Sequence, residues 1–522
     1  MLSEPRKLLP WLLVVIGILA SAWVLTVGQG ARAFPNDDNV IYAVIAKFWA
    51  RGDLPYRDLV DHKPPGIYIF YRWCFWMWGL EPTAIWKGFI ALTGISAALL
   101  LWAFALNNLG AVGLGTGISF ALFFLTDPFV LREGAFLNTE LLASGCLALA
   151  LACTVMYQHA RALPYLFLAG CLFGAACISK QPAMMFGLAF FFHILLITWK
   201  KPLLAFFGSL LVALFIFGLG TLLPAGIVIS WYAYQGALED LIFWVHTANL
   251  AYTGIQGATI QSLLGTLREH QVLVFKHLHQ PQAQQFLIAL YLVPVLALIR
   301  RSWLDVVIVF WIAGAIGAAA LNKQMAHTHY LVFYQLPVAL AVGGAFQVLS
   351  WVSSHFKWGS WRSVILAVAA TILIFPKDLA TLKSQVLHMG KYPPQTSPLV
   401  FQQEFISTMN QATQGFAEND TIFFLGTTPM ALFYSSLKPA SQYIYQPPFG
   451  TISIERFYRD LIDDITTKKP AVAFIQNYRD STFTPELMDI RGEFSRCFLE
   501  NFEPWLWGPS GRIYKRKALS PQ

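Results

Sequence analysis

Long apolar runs alternate with short polar clusters along most of the chain, and the pattern breaks at Pro376. A membrane-spanning helix needs ~20 mainly apolar residues. By that ruler the sequence predicts about eleven spans, at 9–28, 83–106, 112–131, 137–158, 163–180, 183–199, 203–233, 285–300, 303–321, 330–351 and 363–376. The 203–233 run is long enough to tilt or to continue beyond the bilayer. Residues 66–79 are aromatic and apolar, but the run is short and carries Arg72. It is expected to lie at the membrane interface, where Trp and Tyr belong. The first run lacks a small-residue cleavage motif and is expected to stay as an anchor. The predicted fold class is a multi-pass α-helical membrane protein, with a transmembrane domain over residues 1–376.

Beyond Pro376 the pattern becomes that of a soluble domain, 377–522. Strand-like runs at Thr421–Leu425, Ala471–Ile475 and Arg512–Tyr514 alternate with helical patterns at Pro398–Met409, Thr428–Leu437 and Ile454–Ile465. Thr428 followed by Pro429 reads as a helix N-cap with proline at the first helical position. Strand–helix alternation predicts a small α/β domain. No repeat or low-complexity tract interrupts the chain.

Composition fits the membrane reading. Of 522 residues, 56% are hydrophobic and 12% charged, where soluble domains carry about 25% charged residues. The net charge of +8 is scattered between apolar spans, which suits topology determinants and argues against a nucleic-acid partner. Most of the six cysteines lie in or beside apolar runs without a CxxC pair, and read as small buried hydrophobes. Arg6 and Lys7, Arg161, Lys200 and Lys201, Arg300 and Arg301, and Lys357 with Arg362 fall on one side of the predicted spans. The positive-inside rule makes that side cytoplasmic. The first outer loop (29–82) and the C-terminal domain are then expected outside the membrane, together with Arg132, Asn138-Thr-Glu140, Ser179-Lys-Gln-Pro182, the 234–284 loop and Asn322 to His329. Clusters that share one face suggest one convergent cavity.

The first outer loop is the most charged of these clusters. It runs through Phe34-Pro-Asn-Asp-Asp-Asn-Val-Ile-Tyr42, Arg51-Gly-Asp-Leu-Pro-Tyr56 and Asp61-His-Lys-Pro-Pro-Gly66. Adjacent carboxylates at Asp37 and Asp38 repel unless a cation or metal lies near, and one of them could take a proton from a sugar hydroxyl. On spacing alone the pair also fits a solvated turn after Pro35. Lys63 stands before two prolines that stiffen its backbone, which would suit a phosphate at headgroup depth. It fits a snorkelling lysine equally well. Arg132, Lys180 and Lys323 each flank a span end and could converge on an anionic lipid, and Glu140 is an acid at membrane depth, where acids face cavities. His277-x-His279 and His327-x-His329 converge only in extended segments. They leave a divalent cation as an open alternative with no metal motif behind it, so no cofactor is assigned.

In their order these residues resemble the first outer loop of the polyprenyl-phosphate-sugar-dependent glycosyltransferases of the C-type fold, which include protein O-mannosyltransferases and lipid A aminoarabinose transferases. The resemblance rests on the acidic pair before Tyr42, on Gly52-Asp-Leu-Pro-Tyr56 and on Lys63-Pro-Pro-Gly66. Ser179-Lys-Gln-Pro182 is similar to a Thr-Lys-Gly-Pro element of that family, and His329-Tyr-Leu-Val-Phe-Tyr-Gln-Leu-Pro337 to a late helix of it. It covers about the first 350 residues. The resemblance implies that Asp38 is the catalytic base, with Asp37 beside it, and that Lys63 faces the phosphate. Tyr42, Tyr56, Asp61, Arg132, Glu140, Lys180, Lys323 and His329 are the further substrate-binding candidates. Asn39, Glu140 and Gln181 depart from the residues common at those places (Glu, Asp and Gly), which bears on substrate identity.

The expected function is inverting transfer of a sugar from a polyprenyl-phosphate-linked donor lipid to a hydroxyl of a lipid, glycan or protein acceptor on the outer face of the membrane. A transporter or lipid flippase is the alternative from another class. It would place charges near the bilayer midplane and show an internal repeat; here the charges gather in outer loops. The C-terminal domain carries no recognisable catalytic set and is expected to be accessory, with donor binding independent of it.

Overall fold

The apolar runs fold as helices whose lengths follow the bilayer ruler. The computed structural model describes residues 37–126, 138–199, 202–253, 303–320, 332–355, 398–417, 419–426, 428–445, 452–476, 485–508 and 511–517, with isolated positions at 265, 293 and 295. Five helical segments among them are long and apolar enough to cross a membrane: Pro82–Leu106, Thr139–Ala160, Gln181–Thr198, Leu203–Tyr234 and Val332–Val352. Shorter apolar helices run over Gly110–Ala121, Leu163–Ser179 and Leu304–Ala318. Eight of the eleven expected spans thus coincide with apolar helices. Those at 9–28, 285–300 and 363–376 lie outside the described residues. The protein is an integral membrane protein.

Packing separates the lipid-facing side of this bundle from its interior. Along Leu203–Tyr234, the side chains of Leu204, Leu211, Phe215 and Leu222 are exposed and apolar, as a lipid-facing surface requires. The opposite face meets Leu163–Ser179 through glycine. A Cβ on Gly170 would come within 2.1 Å of the Phe217 carbonyl oxygen, and one on Gly220 within 2.2 Å of that of Phe167. Without side chains there, the two backbones can touch.

The 29–82 loop holds more structure, over its described residues, than its polar residues predict. Asp37–Trp49 is a helix, not a solvated turn. Its Asp37 and Asp38 occupy the first turn and Lys47 the last, the arrangement that complements the helix macrodipole. Every residue from Val40 to Phe48 is buried, Lys47 included. Gly66–Trp78 is a helix with two faces: Tyr68, Tyr71, Cys74 and Phe75 face inward, while Ile69, Trp73 and Trp76 are exposed.

The C-terminal region is the predicted α/β fold, built on a five-stranded mixed sheet ordered β2-β1-β3-β5-β4. Its strands are β1 (Thr421–Leu425), β2 (Lys438–Pro439), β3 (Val472–Gln476), β4 (Phe502–Gly508) and β5 (Gly511–Arg516). β1 pairs in parallel with β2 and β3, whereas β5 runs antiparallel to β3 and β4. Helices Pro398–Thr413, Ile454–Thr467 and Pro485–Asn501 cover it, and the Ser453 hydroxyl caps the second by accepting from the Arg456 N–H. The expected Thr428–Leu437 helix is only Met430–Tyr434. Pro429 takes the cap position without a side-chain cap, and the Thr428 N–H donates to Gln476 instead.

Candidate active site

Four buried tyrosines organise the polar loop between Asp37 and Trp78. The rings of Tyr42 and Tyr68 lie 6.0 Å apart, Tyr42 and Tyr71 5.8 Å, and Tyr56 and Tyr68 6.0 Å. Tyr56 also meets Tyr232, at the end of the long Leu203–Tyr234 helix, at 5.6 Å. Tyr42 sits among three acids. Burial first, and then the charges of Asp38, Asp61 and Glu140, hold its hydroxyl well above the usual tyrosine range. Its hydroxyl points to Asp38 at 3.5 Å, a weak hydrogen bond that leaves the half-buried carboxylate largely uncommitted among the described residues. The charges of three carboxylates, two from this loop and one from Thr139–Ala160, are thus felt at one buried hydroxyl.

The segment carrying Lys63 is fixed at several points. The Tyr56 hydroxyl donates to the Lys63 carbonyl oxygen at 2.7 Å, and the Tyr56 N–H to the Leu59 carbonyl. Tyr56 adopts φ +73°, a left-handed conformation that costs a non-glycine residue about 1–2 kcal/mol. Its buried ring and hydroxyl hold it there. Beyond Pro64 and Pro65, Gly66 is wedged against Ser179: a Cβ would lie 2.5 Å from the Ser179 Oγ and 2.8 Å from the Ile178 carbonyl oxygen. Glycine at this position lets the Lys63 loop close onto the segment that carries Lys180. Among the described residues none forms an ion pair with the Lys63 ammonium.

Asp61 and Tyr56 engage neighbouring protein groups with their polar atoms, Tyr56 within the loop and Asp61 both there and on Tyr445. The buried Asp61 carboxylate accepts from the Tyr68 hydroxyl at 2.5 Å, the His62 N–H at 2.7 Å and the Tyr445 hydroxyl at 2.7 Å. Burial alone would raise its pKa. The hydrogen bond from His62, the Lys63 charge and the Tyr68 hydroxyl outweigh that and hold the carboxyl well below its usual range. His62 is pushed down from its ordinary value, first by burial and then by Lys63. Its Nδ1 lies 3.1 Å from the Asp61 carboxylate.

Across the loop, Glu140 lies in the first turn of Thr139–Ala160 and Lys180 just past the end of Leu163–Ser179. The Lys180 ammonium meets the Glu140 carboxylate at 2.7 Å with both side chains buried. The Thr139 hydroxyl donates to the other Glu140 oxygen at 3.0 Å. Nearby, the Asn39 amide donates to the Asn138 side chain at 3.0 Å and so ties the Asp37–Trp49 helix to the same end of the bundle. Asp38, Tyr42, Tyr56, Asp61, Lys63, Glu140 and Lys180 thus belong to one region. Asp37 is placed in the first helical turn, while Arg132, Lys323 and His329 lie outside the described residues. Sequence reasoning missed Tyr68, Tyr71, Tyr232 and Tyr445. Among the described residues, no group of three His, Cys, Asp or Glu side chains is arranged to hold a metal ion.

With this arrangement in hand, solved structures can be compared. ArnT from Cupriavidus metallidurans in the apo state aligns over 99% of this chain and 100% of its own, with a TM-score of 0.56 at 13% identity. The chain shares its fold with ArnT. A second ArnT crystal structure, bound to undecaprenyl phosphate, gives a TM-score of 0.54 at 14% identity over 98% of this chain and 99% of that one. The Archaeoglobus fulgidus oligosaccharyltransferase in complex with Zn and sulfate reaches a TM-score of 0.47 at 11% identity, covering 88% of this chain and 68% of that one; a likeness that low carries no argument. No protein-family model matches the sequence, and no curated protein matches it either. At such identities the ArnT likeness speaks to the fold, and the chemistry must come from the residues.

Proposed function

We propose that the protein is a membrane-embedded glycosyltransferase that passes a sugar from a polyprenyl-phosphate carrier to a hydroxyl of a lipid, glycan or protein acceptor. The observation that carries the reading is the Asp38 carboxylate, held only weakly by the Tyr42 hydroxyl, in the same folded loop as a Lys63 whose backbone is pinned and whose ammonium has no ion pair among the described residues. ArnT, whose fold the chain shares, has been crystallised with undecaprenyl phosphate. That lipid supplies the phosphate that an uncommitted Lys63 would meet.

In this reading Asp38, less engaged than Asp61 or Glu140, takes the proton from the acceptor hydroxyl. The oxygen attacks the anomeric carbon as the bond to the phosphate oxygen breaks, and the sugar is inverted. The polyprenyl phosphate departs with the electron pair. It needs little protonation, so one carboxylate suffices where many glycosidases use an acid–base pair. Lys63 offsets the phosphate charge. Lys180 contributes to the extent that the phosphate competes with Glu140 for it, and Arg132, Lys323 and His329 keep their assignment to the donor lipid. Tyr42, Tyr56 and Asp61 act on the substrate through the loop they hold. Asp61 and His62 would be the natural start of a metal site, but the Asp61 oxygens are already engaged and the described residues offer no third ligand; no step here runs through a cation. The basic short loops support an extracytoplasmic site and C-terminal domain.

Lys63→Ala tests the phosphate assignment. Hydrogen bonds to charged groups are worth about 1.5–3 kcal/mol, so undecaprenyl phosphate should bind the purified variant roughly ten- to a hundredfold more weakly. Unchanged binding would leave Lys63 as an interfacial anchor and remove the phosphate clamp.

A further inference from the structure

The C-terminal α/β domain reaches into the loop that carries Lys63. The Val60 N–H donates to the Gln442 carbonyl at 2.9 Å, and Lys438 pairs with Asp53 at 3.2 Å. The Tyr445 hydroxyl donates to Asp61 at 2.7 Å and lies 3.3 Å from His62 Nδ1. A second contact lies away from the loop. The buried Lys47 ammonium donates to the carbonyls of Leu432, Phe433 and Ser435 at 2.9, 2.7 and 2.6 Å, closing the C-terminal end of the Met430–Tyr434 helix. Burial pulls the Lys47 pKa down to about 7; the three carbonyl acceptors at the negative end of a helix act in the opposite direction.

We propose that Tyr445 is a positioning residue for the sugar-donor site: through Asp61 it fixes where Lys63 presents its ammonium to the phosphate. The proposal rests on the assignment of Lys63 to that phosphate. A buried ionised carboxylate needs hydrogen-bond donors, and three groups supply them to Asp61, one of which arrives from a position 384 residues later. Between residues 60 and 66 the backbone is held at the Val60 N–H, the Asp61 carboxylate, the Lys63 carbonyl and Gly66. The C-terminal domain supplies partners at the first two. Without the Tyr445 hydroxyl the buried Asp61 carboxylate loses one of its three donor groups, and Asp61 is joined through His62 to Lys63 along the chain. Donor binding therefore depends on the C-terminal domain, contrary to the independence expected from its lack of catalytic motifs.

Tyr445→Phe keeps the ring and leaves the Lys47 contact in place, so it separates positioning from docking. The test titrates the full-length protein in detergent with undecaprenyl phosphate, and follows amide hydrogen exchange at residues 59–63. Tyr445→Phe should weaken binding about tenfold, the lower end of what a lost hydrogen bond to a charged group is worth, and should raise exchange at 59–63. Asp61→Ala, which removes the acceptor altogether, should weaken binding at least as much, and adding Tyr445→Phe to it should cost nothing more, a non-additivity that general loosening would not produce. Tyr443→Phe, whose hydroxyl serves Asp460 within the C-terminal domain, should bind like the wild type. Wild-type affinity in Tyr445→Phe, or full additivity with Asp61→Ala, overturns the proposal. If the wild type itself binds no undecaprenyl phosphate, the function proposed above fails. Exchange then decides the rest: unchanged protection at 59–63 in Tyr445→Phe removes the positioning as well.

Discussion

Asp38→Asn is expected to lower turnover by the ~10²–10⁴-fold typical of a lost general base, while the variant still binds polyprenyl phosphate. The amide has the size of the carboxylate and still accepts from the Tyr42 hydroxyl, whose 3.5 Å contact is weak to begin with. What disappears is the capacity to take the acceptor's proton. Removing a negative charge from the neighbourhood of a phosphate leaves affinity unchanged or improves it. The other acids near the site are worse placed for this role. Glu140 is held by Lys180, Asp61 by two tyrosines and His62, and Asp58 by Arg57 and the Leu54 N–H. Near-wild-type turnover in Asp38→Asn would move the base to Asp37, Asp58, Asp61 or Glu140.

The largest expected loss of stability is in Glu140→Ala. Removing one partner of a buried ion pair strands the other charge and costs about 3–5 kcal/mol. Lys180 would be left 7% exposed, with its ammonium where Glu140 had neutralised it. Replacing both residues by apolar side chains of similar volume should recover most of the stability, since such exchanges are often neutral, but should not recover transfer. Thermal unfolding in detergent reads the first effect, and turnover the second. A Glu140→Ala variant that melts like the wild type would mean that the Lys180 charge is satisfied from elsewhere.

How much of this is legible in the sequence depends on the distance over which each signal acts. The spans are set by local composition, so the 203–233 run appears as Leu203–Tyr234 almost residue for residue. The same holds for β1, whose apolar run is bounded by turn residues. The Asp37–Trp49 helix is hidden because Pro35 and the acids at its start look like a turn. Its apolar middle, from Val40 to Phe48, is also too short for a bilayer ruler. Lys47 reads as one more loop cation, since nothing nearby in sequence announces the carbonyls of 432–435.

The candidate site divides in the same way. Asp38, Lys63, Glu140 and Lys180 stand out because charge beside apolar spans is costly without a use. The tyrosines do not, since a Tyr in a greasy segment looks like an interfacial anchor. Tyr68 and Tyr71 share one face of Gly66–Trp78, and that i, i+3 spacing is the signal that could have drawn attention to them. Tyr445 gives no such signal. Its link to Asp61 exists only once the C-terminal region packs on the loop that carries Asp61.

Lipid mass spectrometry of cells lacking the protein, set against the wild type, tests the central claim most directly. Loss of a transferase must leave its donor unspent and its product unmade. The expected result is accumulation of one polyprenyl-phosphate-linked sugar together with the disappearance of a glycosylated lipid, glycan or protein, both reversed by the wild-type gene and not by Asp38→Asn. An unchanged pool of polyprenyl-phosphate sugars with no glycosylated product missing would contradict it.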